Sequence, residues 1–136
     1  MTFAIQDALI ELMIVAASSD TRMSERELKR IEALTGRLPV FEGFDATRLA
    51  DVANTCVDKL VSEESLELLV VDALDTIPTR LHDTAYALMV DIVALDLHTS
   101  QEELRFLELV RDSMRLDRLT TAAIETAARA RHRRLQ

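Results

Sequence analysis

The chain has no tryptophan, one tyrosine and four phenylalanines in 136 residues, with two glycines, two prolines and one cysteine. Each shortage excludes something. A lone Cys56 excludes an intramolecular disulfide framework and a Cys-x-x-Cys site, and its apolar neighbours Val57 and Leu60 mark it as a buried thiol. With no second glycine near Gly36 there is no Gly-rich phosphate loop, and no G-x-S-x-G elbow is present. No stretch of about 18 apolar residues is free of charge, so no transmembrane helix is expected. Met1 to Asp7 has no basic segment, so it does not read as a signal peptide, and a cytoplasmic protein is expected.

What is abundant is alanine, leucine, glutamate and arginine, without alternating β-branched runs. That composition favours helix throughout, in one domain over residues 1–136 with a single core. The net charge is −8, and the last eight residues hold four arginines, which leaves −12 on the other 128. An acidic body disfavours nucleic acid and attracts cations or basic partner surfaces. The basic end, Arg131-His132-Arg133-Arg134, reads as a solvated helix terminus. Alternatives are peripheral contact with phospholipid and docking on the chain's own acidic face.

Periodicity and punctuation divide the chain into about seven helices. Phe3 to Ser18 is apolar on so many sides that it belongs in the centre of the core. Glu25 to Thr35 follows, with Gly36 as its terminator. Leu38 to Phe44, the longest irregular stretch, is apolar enough to pack onto the helices. Asp45 caps a helix to Val61, Ser62 one from Glu63 to Asp75, and Pro78 opens one to Ala94 or Leu95. Asp91 falls one turn before that helix ends and either adds a carboxylate to the turn beyond or faces water. His82 reads as a surface or partly packed residue. Ser100 to Met114 and Arg118 to Arg131 complete the set, with Asp117 as the last N-cap.

One stretch is used twice. Asp20-Thr21-Arg22-Met23-Ser24-Glu25-Arg26-Glu27-Leu28 is echoed 76 residues later by Asp96-Leu97-His98-Thr99-Ser100-Gln101-Glu102-Glu103-Leu104. Ser24 with Glu27 and Ser100 with Glu103 have capping-box spacing, each cap worth roughly 1 kcal/mol. Asp20 and Asp96 are not explained by capping, because each ends the preceding helix, where a negative charge opposes the dipole. Pooled, Asp20, Glu27, Asp96 and Glu103 offer oxygen ligands for a hard divalent cation, calcium or magnesium. The spacing is not that of an EF-hand, and one Asp and one Glu per copy is a sparse set. If the four carboxylates share one ion, Asp20 and Asp96 lie within about 12 Å of each other.

This doubled Asp, Ser and Glu pattern in an all-helical chain resembles the tellurite-resistance TerB family, over about Ile5 to Ile124. Asp20, Ser24 and Glu27 match the family motif, as do Asp96, Ser100 and Glu103. The motif's glycine is replaced by Thr21 and Leu97, and the acidic position after it by Arg22 and His98. The resemblance implies an all-α bundle of about seven helices with pseudo-twofold helix-turn-helix units. The halves are roughly 3–36 and 78–115, bridged by 45–75 and followed by a basic helix, 117–136. It also implies a role in tellurite or chemical-stress resistance exercised through protein partners.

An enzyme is not expected. A di-iron bundle needs Glu-x-x-His, and the residues three before His82, His98 and His132 are Thr79, Leu95 and Arg129. The leading expectation is a binding or scaffold module whose acidic face takes a divalent cation or a basic partner. The alternative is a structural or homo-oligomeric module in which the acidic turns only cap helices.

Overall fold

The computed structural model describes residues 2–17, 25–62, 66–94 and 101–135, without the side chains of residues 2 and 101–103. The described residues form seven α-helices and no strand, so the expected all-α class holds. The helices are α1 (Thr2–Ala17), α2 (Glu25–Arg37), α3 (Leu49–Val61), α4 (Leu66–Thr76), α5 (His82–Val93), α6 (Gln101–Ser113) and α7 (Arg118–Arg131). Short 3-10 turns at Pro39–Phe41, Ala46–Arg48 and Thr79–Leu81 join them.

Two helices make the centre. In α1 the run Leu12 to Ala17 is wholly buried, together with Ala8, Leu9 and Ile10. A helix apolar on most sides lowers its free energy only when surrounded, and α1 packs against α3, α4 and α5. Each large aliphatic side chain so buried contributes roughly 1.5–3 kcal/mol. The second central helix is α5, which buries nine of its twelve residues and carries α7 on its other side.

The charges of α1 leave by its flanks. Arg48 grips both Asp7 oxygens at 2.8 and 3.0 Å, and Lys59 reaches Glu11 at 3.6 Å. Buried Gln6 donates its amide to the carbonyls of Val40 and Glu42, at 3.2 and 3.1 Å. Those two bonds, with Phe41 packed edge-to-face on Phe44, hold the irregular stretch against the core.

The 76-residue echo reappears in the element bounds. α1 ends at Ala17 and α5 at Val93, while α2 spans 25–37 and α6 spans 101–113. Neighbours repeat too: α2 touches α1 and α5, and α6 touches α5 and α1.

Several boundaries differ from the expectation for local reasons. Gly36 does not stop α2, which continues through Arg37, because no left-handed turn is needed before Leu38. Asp45 does cap, accepting from the Thr47 amide at 2.9 Å, but it opens a 3-10 turn ahead of α3. The Ser62 hydroxyl donates back to the Lys59 carbonyl and so closes α3. Asp117 caps α7 through the Thr120 amide at 2.7 Å. No helix among the described residues is long and apolar enough to cross a membrane.

Candidate functional site

Of the expected site, Asp20, Ser24, Asp96 and Ser100 lie outside the described residues, as does the side chain of Glu103. The separation of Asp20 from Asp96 therefore lies outside them too. Glu27 sits half-buried in the first turn of α2. Among the described residues no three His, Cys, Asp or Glu side chains come together as a metal site.

What the described residues do assemble is a groove of about 740 Å³ between α5, α6 and α7. Its volume falls in the range of small-ligand sites, about 300–1,000 Å³. The floor is aliphatic: Val90, Val93 and Ala94 from α5, Leu104 and Leu107 from α6, and Ala128 from α7. Leu104 is 44% exposed and forms the outer edge of this floor.

One end is closed by a polar network. The buried Tyr86 hydroxyl donates to Glu125 Oε2 at 2.5 Å, and Arg111 reaches the same oxygen at 3.3 Å. Burial, then the bond to Glu125, pushes the Tyr86 phenol above its usual range. Tyr86 meets Glu125 and, five residues on, Asp91 meets Arg131 and His132, so α5 and α7 run parallel. The other end of the groove is therefore the end of α7, where Arg129, Arg133 and Arg134 line it.

A second network holds that end in place. Asp91, expected at the turn or in water, is buried in α5. Its Oδ1 accepts from His132 Nε2 at 2.7 Å and lies 3.5 Å from Arg131 Nη2; its Oδ2 lies 3.3 Å from Arg30 Nε. One carboxylate thus ties α2, α5 and the last turn of α7 together. The basic tail is in part docked on the chain's own acid, and only Arg133 and Arg134 beyond it remain without a carboxylate partner among the described residues.

Sequence reasoning missed this hub, although a signal was present. Asp91 interrupts Leu88-Met89-Val90 and Ile92-Val93 on a helix with little polar surface, where a charge must find a partner. His82 is buried rather than surface, its Nε2 3.2 Å from the Ile77 carbonyl. Cys56 is buried as expected. Burial, then the nearby Glu11 carboxylate, raises its thiol to about 11, so it is a packing residue and a poor nucleophile.

No protein-family model, curated protein or solved structure matches the chain.

Proposed function

We propose that this protein is a non-catalytic binding module and that the groove between α5, α6 and α7 is its ligand seat. One observation carries the reading: among the described residues, a groove of about 740 Å³ with an aliphatic floor has its walls fixed by two charged networks. Tyr86 and Arg111 are engaged by Glu125, and His132 by Asp91. Tyr86, Arg111, Glu125 and His132 thus serve as struts, which suits retention of a ligand better than its conversion.

The chain lacks tryptophan, so Leu104→Trp makes a single reporter on the exposed edge of the floor. Titration with the apolar anion 8-anilinonaphthalene-1-sulfonate is expected to quench that indole by energy transfer. It is also expected to shift the amide resonances of Val90, Val93 and Ala128 in the parent protein. Shifts confined to other faces would remove the groove from consideration.

The TerB-like reading stands beside it as the proposed family. It is supported by the 76-residue register shared by the Asp-Ser-Glu stretches and by the bounds of α1 with α5 and α2 with α6. On that reading the module is cytoplasmic, acts in tellurite or chemical-stress resistance through protein partners, and uses Asp20, Glu27, Asp96 and Glu103 toward calcium, magnesium or a basic surface. Calcium titration followed by NMR tests it. Unmoved resonances at those four residues up to millimolar ion would retire the cation site.

A further inference from the structure

The groove has an aliphatic middle, a capped end and a cationic end. Resting on the binding-module reading, we infer that its occupant is a single-chain anionic amphiphile, an unbranched aliphatic tail with a carboxylate head. The tail lies over Val90, Val93, Leu104 and Leu107, and the head meets Arg133 and Arg134.

Charge argues for the head. The chain as a whole is −8, yet among the described residues the groove lining holds four arginines against Glu108 and Glu125. Glu125 is occupied by Tyr86 and Arg111 at the capped end. Glu108 lies midway, one turn of α6 from Arg111 and one from Leu104. Arg133 and Arg134 are exposed and without a carboxylate partner among the described residues. The His132–Asp91 bond positions the residues just ahead of them. Paired guanidinium groups suit the planar, bidentate geometry of a carboxylate.

Dimensions argue for a single chain. From Tyr86 to Ala94 the groove runs eight residues of helix, about 12 Å at 1.5 Å per residue. An alkyl tail of medium length spans that distance along an aliphatic floor.

The test is an NMR titration of the full chain with decanoate, below its micellar concentration, alongside octanoate and decanol. Decanoate is expected to move Val90, Val93, Leu104 and Ala128. Octanoate, shorter by two methylenes, is expected to bind roughly tenfold more weakly. The double variant Arg133→Gln, Arg134→Gln changes only exposed residues past α7. It is expected to weaken decanoate about tenfold and leave decanol unchanged. Equal affinity for decanoate and decanol, or no effect of the double variant, overturns the head-group assignment. If decanoate leaves the floor resonances unmoved while the sulfonate dye still quenches the Leu104→Trp indole, the amphiphile is wrong and the groove stands. Silence from both probes ends both readings.

Discussion

Asp91→Asn removes one negative charge from the hub while keeping its shape. The Asp91 side chain is 10% exposed and serves three cationic or imidazole partners. Breaking a buried ion pair costs about 3–5 kcal/mol, because the remaining charge is left without compensation. Here the cost is smaller. The Arg30 and Arg131 side chains are 35% and 53% exposed and can turn toward water, where pairs contribute little. His132, at 11%, has less freedom to leave. A loss of about 2–3 kcal/mol follows. Unfolding entropy of about 2.1 cal/mol/K per residue over 136 residues is roughly 0.29 kcal/mol/K, so Tm falls by roughly 7–10 °C. Urea denaturation and thermal circular dichroism measure both values. A double-mutant cycle with His132→Gln should give a coupling near 1 kcal/mol. Hydrogen exchange should speed up at Ala128 to Arg131 more than in α3. A Tm within about 2 °C of the parent would refute the hub as a stabilising element.

Two further perturbations test the local physics. Gly36→Ala, in a helix with nothing within 4 Å of the added methyl, should stabilise by roughly 0.5–1 kcal/mol. Gly43→Ala, at φ +80°, should destabilise by roughly 1–2 kcal/mol. Equal urea midpoints for the pair would contradict this backbone assignment. The unfolded Cys56 thiol ionises near 9.0 and the folded one near about 11. Across that window the unfolded chain has released a proton that the folded chain keeps, so stability present below pH 9 declines by roughly 2–3 kcal/mol on reaching pH 11. A Cys56→Ala variant should lack that part of the alkaline decline; identical pH profiles would show that the thiol is not its source.

The legible part of the sequence was the part written locally. Asp45 and Asp117 cap because their carboxylates reach amides two or three residues away, and α1 announced its central place by being apolar on so many sides. Gly36 misled because a glycine marks a helix end only where the chain needs a left-handed residue, and Arg37 and Leu38 do not. The networks were hidden for a different reason. Gln6 bonds residues 34 and 36 positions away, Asp91 meets His132 across 41, and Tyr86 meets Glu125 across 39. No periodicity encodes which buried polar group will answer another across such distances. The groove was equally silent, since an aliphatic residue lining it reads like any other member of an apolar face. The acids of the doubled stretch, conspicuous in the sequence, fall mostly outside the described residues.

The enclosure of α1 has a consequence for biosynthesis. Every helix that wraps it is translated later, and α5, its principal companion, later by some 65 residues. A ribosome working at about 5–20 residues per second leaves this oily segment without its proper neighbours for several seconds. In that interval it is a target for holding chaperones, and for other nascent chains when expression is heavy. Substitutions that make α1 greasier would therefore lower the yield of soluble product even where they leave the finished molecule as stable as before.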